Sequence, residues 1–394
     1  MKKTLTLLVA LVAAFSITNA QNWVDTNPQN KKVVIEEFTG IYCTFCPDGH
    51  KTANLLIKDN PGNVFAVNIH SGGYAGPRAA SDPDFRTPEG DIIDDASGLS
   101  GYPAASVNRY RTPRVEPGTR STWAASVNSQ LAESSAANAY VKAYYDRETK
   151  VLTTEVEVYY TANSATDKNK VAVMLLQNNI LGPQVGGDQF YPENFIGDDY
   201  IHNHVLRDVI SDGGAWGEEI TSTKKGDYFY KKYETTLPDD IVDVPLTFYN
   251  LDVLVFVAED DDNNIMTAYQ AEVDYDPTGS VDLSLRSNIK TSGFCVNPFK
   301  PAVTVTNSSS ETVTSFDLTM EANGQSYTKS YSGSIPANGK ATVTFDDDVV
   351  PNGEYSASIT GFKNINDGDF FDTDLSNDKV DLSGLGFQSK AFEY

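Results

Sequence analysis

Cys43 and Cys46 stand three positions apart, and Pro47 follows at once. A pair so spaced can close a small disulfide ring if a helix begins there, because residues i and i+3 share one helical face. Ahead of the pair, Val33-Val34-Ile35 opens an apolar strand and Gly40 breaks it. Behind the pair, Ala53, Leu55, Leu56 and Ile57 set a helical pattern that Asn60-Pro61-Gly62-Asn63 stops. The first turn of a helix has unpaired amides and the positive end of the macrodipole, and both favour a thiolate. The spacing therefore predicts a Cys43 thiol below the free value of ~8.5, accessible and nucleophilic, with Cys46 as its recessed resolving partner. Pro47 fits only if the helix begins near the pair. Two other readings use the same residues. The pair can be an inert structural disulfide, or half of a copper or zinc site completed by His50, four residues on, and His70, at the end of the next strand.

The elements that must hold this pair extend from Lys31 to about Ala137. Val64 to Ile69 reads as a second buried strand, residues 71–100 as a Gly-, Pro- and Asp-rich excursion, Ala104 to Asn108 as a short strand, and Ser121 to Ala137 as a helix. Strand–helix–strand order with apolar strands implies parallel pairing over a crossover helix. From residue 138 the texture is all-β. Tyr140–Tyr145, Val151–Tyr160, Val171–Leu176, Tyr228–Leu237 and Leu251–Glu259 are strand-length runs separated by polar turn clusters, which predicts an antiparallel β-sandwich to residue 276. Pro277-Thr278-Gly279-Ser280 reads as a linker. Residues 281–375 read as a second, immunoglobulin-like sandwich, with hairpin-type turns at Asn323-Gly324 and Asn338-Gly339. Residues 376–394 read as the start of a further β region, with the natural chain expected to continue.

The run from Val33 through Glu36-Glu37-Phe38-Thr39-Gly40-Ile41-Tyr42 to Cys43-Thr44-Phe45-Cys46-Pro47 resembles the thioredoxin-like superfamily. The resemblance implies that Tyr102-Pro103 is the cis-proline loop facing the dithiol. It also implies that Glu37, six residues before Cys43, is the buried acid proposed to accept a proton from the second thiol. Tyr42 stands where that superfamily usually has Trp, and Thr44-Phe45 where it usually has Gly-Pro; both changes leave reductase against oxidase open. More narrowly, Glu37 to Pro47, with Ile201-His202-Asn203-His204-Val205-Leu206-Arg207 further on, is similar to the twenty-eight-kilodalton outer membrane protein family of Bacteroidetes-type bacteria, over roughly residues 31–275. That implies an exported cell-envelope protein. Its members often carry a lipid anchor, for which this sequence has no suitable cysteine.

The rest of the sequence bounds the function. Lys2 and Lys3, the apolar run Leu5 to Phe15 and the small residue Ala20 read as a secretion signal over residues 1–20, which places the protein in the periplasm, on the outer membrane surface or outside the cell. The chain of 394 residues carries 54 acidic against 30 basic residues, a net charge of −24. A field of that sign excludes nucleic-acid partners. No phosphate loop, Ser-His-Asp order or paired carboxylates are found, and no cofactor is called for. His202 and His204 read as packing residues of a sandwich before a metal pair. Asp260 to Asn264 and Asp346-Asp347-Asp348 read as solvated turns before calcium ligands, and Cys295 as a buried free thiol. Two functions stand: thiol–disulfide exchange with a protein substrate or redox partner through Cys43, Cys46, Glu37 and Pro103, or a non-catalytic envelope binding or adhesion protein with a structural disulfide.

Overall fold

The computed structural model describes residues 23–381 except 110–114, 118–120, 197–198, 262, 276–278, 288–299, 323–324, 347–354, 361–364, 367–369 and 374–375. The expected export segment, Cys295, Asn323-Gly324 and Asp347-Asp348 lie outside the described residues.

The first elements follow the sequence pattern closely. Strand β1 (Val33–Thr39) and strand β2 (Val64–His70) are buried at every position and pair in parallel, Val33 opposite Val64 through Thr39 opposite His70. The crossover is helix α1 (Cys46–Asp59), which buries Cys46, Pro47, Gly49, His50 and Ala53 and turns Leu55 outward. Proline is accepted at its first turn because those amides have no intrahelical partner. The excursion at 71–100 is less irregular than expected, since it contains helix α2 (Pro88–Ser97). Thr87 Oγ1 accepts from the Gly90 amide at 3.0 Å, and Gly98 closes the helix at φ 68°. Strand β3 (Ala104–Val107) then pairs antiparallel with β1, and β4 (Val115–Pro117) with β3. Helix α3 (Ser121–Leu131) is shorter than expected. It seats Trp123 in a core with Val33, Ile35, Ala53 and Val127.

Strands β5 (Ala137–Asp146), β6 (Val151–Tyr160) and β7 (Asn169–Gln177) begin the second region. An insert follows with β8 (Ile180–Gly182), β9 (Phe195–Ile196) and β10 (Asp199–His202), which form their own small sheet in the order β8-β10-β9. Then come β11 (Val205–Val209), β12 (Glu218–Ile220), β13 (Tyr228–Thr236), the short β14 (Asp240–Ile241) and β15 (Val244–Pro245), β16 (Leu251–Glu259) and β17 (Ile265–Tyr275). Pairing is largely antiparallel, but β17 meets β5 in parallel. One twelve-stranded sheet runs β13-β6-β5-β17-β16-β7-β11-β2-β1-β3-β4, with β12 beside β7. It crosses the boundary expected at residue 137, where β11 joins β2 through Val205 opposite Asn68.

Alternation along β7 and β16 serves two cores. Val171, Val173, Leu175, Val253, Val255 and Val257 face Val141, Val156 and Val158 of β5 and β6, giving two packed β layers. Their neighbours Ala172, Met174, Leu254 and Phe256 face Val34, Phe38, Val67 and Ile69 of the first region. Between those regions lies a buried ion pair. Arg109 donates to Glu36 through Nε at 2.9 and 3.0 Å and through Nη2, and its guanidinium lies 5.0 Å from the rings of Trp216 and Phe256.

The last region also stacks two sheets around one apolar core. One holds Leu283–Ser287, Ala302–Asn307 and Lys340–Thr344; the other holds Gln325–Ile335, Val313–Ala322, Tyr355–Thr360 and Lys379–Asp381. The turn at Asn338-Gly339, expected to be a hairpin, joins strands of different sheets. Half of the expected linker is also ordered as strand, because Gly279–Val281 pairs in parallel with Phe370–Asp372. Among the described residues, no helix is long and apolar enough to cross a membrane.

Candidate functional site

The site is built at the end of β1. Gly40 leaves the strand where a Cβ would lie 2.5 Å from the Tyr74 carbonyl carbon and 2.7 Å from the Ala75 amide, so only glycine fits without displacing backbone. The chain then turns tightly. Cys43 N–H donates to Gly40 O at 3.0 Å, and Cys46 N–H to Cys43 O at 3.2 Å. Cys43 and Cys46 are joined as a disulfide across a Cα separation of 5.4 Å. Cys46 is the first helical residue and Phe45 the N-cap, so Cys43 stands two residues before the cap rather than in the first turn.

The spacing predicts a Cys43 within reach of solvent. In the structure Cys43 is 3% exposed and Cys46 0%. The cover comes from the insert. The Gln184 side-chain amide donates to Cys43 O at 3.1 Å and to Gly40 O at 3.3 Å, and Val185 N–H donates to Ile41 O at 2.9 Å. Gly186, at φ 77°, passes so close that a Cβ there would lie 2.1 Å from Thr44 O. Phe190 packs on Phe45 with ring centres 5.2 Å apart. These contacts span about 140 residues of sequence, and no local pattern announces them.

Pro103 follows a cis Tyr102–Pro103 bond, as the resemblance implied. Ala104 opposes Phe38, so the register carries Pro103 to the end of β1 where the cysteine turn begins. Glu37 is fully buried on β1. A Cβ on Gly49 would lie 2.2 Å from Glu37 Oε1, so the carboxylate lies under the first turns of α1. His50 Nε2 is 4.0 Å from the same oxygen and 2.8 Å from Thr39 Oγ1, and its Nδ1 is 2.8 Å from Tyr200 OH.

His50 thus belongs to a polar cluster within the apolar interior. His70 and His202 have ring centres 5.7 Å apart, each 4.9 Å from Phe85, and His202 lies 5.1 Å from Tyr200. Burial pushes His50 down to about 3, with the neighbouring His202 and His204 adding to the effect. Burial also lowers His202 to about 4 and His70 well below the ordinary value. All are neutral at pH 7. The chain has four histidines; in sequence they stand as two separate pairs, but the fold couples them. His50 and His70 form no metal centre with the cysteines, which are bonded to each other, and among the described residues no three His, Cys, Asp or Glu are placed to hold a metal ion. Asp260 pairs with Lys170, and Asp346 with Lys329. Arg207 is structural, donating to Ile241 O at 2.9 Å and Val244 O at 3.0 Å.

Comparison with known proteins locates the similarity. The family described as Outer membrane protein Omp28 matches residues 91–276. That span is just under half of the chain; it includes Ile201 to Arg207 and excludes Cys43 and Cys46. Among solved structures, HBP35 of Porphyromonas gingivalis is 19% identical, with 84% of this chain and 95% of that one covered at a TM-score of 0.51. A domain of the outer membrane lipoprotein Omp28 from Porphyromonas gingivalis is 18% identical, covering 36% of this chain and 90% of that one at a TM-score of 0.25. No curated protein matches. The likeness to HBP35 is one of fold, and the chain from residue 91 to 276 is similar in sequence to the Omp28 family.

Proposed function

We propose that this is an exported protein of the bacterial cell envelope, associated with the outer membrane, which exchanges disulfides with protein substrates through Cys43 and Cys46. In this reading the region 31–137 is a thioredoxin-like domain, and the β regions position it or bind partners. The observation that carries it is the placing of a three-residue-spaced disulfide at a strand-to-helix turn, with Pro103, at the start of the neighbouring strand β3, brought by register to the end of β1. The match to the Omp28 family supports the envelope setting.

The exchange balances with the groups at hand. A substrate thiolate attacks Cys43 Sγ, and Cys46 Sγ leaves as a thiolate and takes a proton. A second substrate thiolate attacks the substrate sulfur of the mixed disulfide, and Cys43 Sγ leaves in turn. The substrate gains a disulfide, and the protein gains two electrons and two protons; the reverse sequence reduces a substrate disulfide. Glu37, buried under α1, is the residue proposed to trade the proton of the recessed thiol. The test is disulfide exchange with insulin, with reduced ribonuclease as the opposite substrate, on the wild type and Cys43→Ser. Activity lost in the variant is expected, and equal turnover in both would remove the enzyme.

A second reading draws on the burial of Cys43. There the disulfide is structural and the protein is a binding or adhesion module. A disulfide that resists mild reductant even after the insert is loosened would favour it.

A further inference from the structure

We propose that residues 183–187 are a built-in plug over the disulfide, and that the partner which displaces them is an extended polypeptide with apolar residues beside its cysteine. This rests on the exchange reading above.

Three observations converge on the segment. First, it holds the cysteine turn as a bound strand would. Val185 N–H donates to Ile41 O at 2.9 Å, while the Gln184 amide spans Gly40 O and Cys43 O. Three acceptors of the turn are thus met by one short stretch of another element, and a polypeptide that took its place would find the same carbonyls. Second, the stretch is shaped for close approach. Gly186 has a left-handed φ of 77°, and a Cβ there would come within 2.1 Å of Thr44 O. A side chain at this position would lift the segment away from the cysteine turn at Thr44. Third, the rim is apolar and open. Phe45 is 55% exposed and Tyr74 47%. Phe45 lies within the turn, and the Tyr74 carbonyl accepts from Tyr42 N–H at 3.0 Å. A surface of that kind around a reactive bond suits apolar flanks on an incoming chain.

The plug has a chemical consequence. In-line attack on Cys43 Sγ needs an approach path, and a residue 3% exposed gives none to a macromolecule. Exchange therefore waits on an opening step. A reductant that binds nowhere pays the whole cost of that step, whereas an extended peptide replaces the lost hydrogen bonds with its own.

The experiment compares wild type, Gln184→Ala and Gly186→Val as full chains, with far-UV circular dichroism and thermal melts as folding controls. The rate of disulfide reduction by a small phosphine should rise about tenfold in Gln184→Ala, the size expected for loss of a buried hydrogen-bond pair, and more in Gly186→Val. On wild type, a hexapeptide with one cysteine between valine and phenylalanine should exchange about tenfold faster than glutathione, and the gap should narrow in Gln184→Ala. Unchanged phosphine rates in both folded variants, or equal rates for peptide and glutathione on wild type, would overturn the proposal. Faster phosphine reduction with no exchange toward either thiol compound would uphold the plug and remove the exchange activity instead. Should Gly186→Val misfold, Gln184→Ala decides alone.

Discussion

Nδ1 of His50 lies 2.8 Å from the hydroxyl of Tyr200, which joins the helix that Cys46 opens to an insert 150 residues further along the chain. Both side chains are buried. The bond is therefore paid in full when broken, because neither group can turn to water. Tyr200→Phe should destabilise the protein by about 1–3 kcal/mol, measured by urea unfolding. A midpoint equal to that of the wild type would show that the contact holds nothing in place.

Acid should weaken the fold for a reason that lies in the same cluster. In the unfolded chain a histidine takes up its proton near pH 6.5, but burial delays this to about 4 for His202 and about 3 for His50. Between those limits the unfolded state binds more protons, so stability falls as the pH drops, by about 1.4 kcal/mol per pH unit for each histidine. Asp252 works against them. Burial pushes it up to about 6, against bonds from Asn178 and Gln270. Its folded form holds a proton that the unfolded form has released, so its contribution is present at low pH and lost as the pH rises through that range. Burial raises Asp208 and Asp91 in the same sense, but the four histidines, each lowered by burial, outweigh these carboxyls. Urea midpoints should decline from pH 6.5 to pH 4, and more steeply in Asp252→Asn. A midpoint that rises on acidification over this range would contradict the assignment.

The pair of Glu36 and Arg109 should be costly to break and cheap to replace. Arg109 lies buried between Trp216 and Phe256, with Glu36 as the carboxylate it meets through two nitrogens. Glu36→Gln leaves a cation in an apolar layer, with an expected loss of about 3–5 kcal/mol. The double replacement Glu36→Leu with Arg109→Met should recover much of that loss, since neither charge then remains to be desolvated. Chemical denaturation of the two variants checks this, and a double variant no better than the single would mean that the pair itself shapes the core.

Much of the scaffold was legible because its signals are local. The apolar runs Val33-Val34-Ile35 and Val64 to Val67 that open β1 and β2, with a cysteine turn and a helical period between them, leave little choice but a parallel pair over a crossover. Helix α2 was missed, because the Gly- and Asp-rich composition of residues 71–100 reads as an irregular excursion. The site was legible only in part. Cys43, Cys46 and Pro103 could be named from spacing and resemblance, yet the cysteine turn is held by Gln184 and Gly186, whose contacts with it have no sequence period. The histidines show the same limit. His50 and His70 look like candidate partners of the cysteines, and His202 and His204 like packing residues of a sandwich, until β10 returns beside α1 and β2.

The ladder between β2 and β11 carries a consequence for dissecting the molecule. Asn68 N–H donates to His204 O at 2.7 Å, and Val34, Phe38, Val67 and Ile69 are packed by Met174, Leu254 and Phe256 from the other side of residue 137. Excising the first region at that point would bare the apolar face of β1 and β2 and leave Asn68 at the edge of β2 without its partner, the kind of surface that recruits other chains. The excised piece should precipitate or form fibrils rather than stay in solution, because its shield against self-association comes from the other half of the protein.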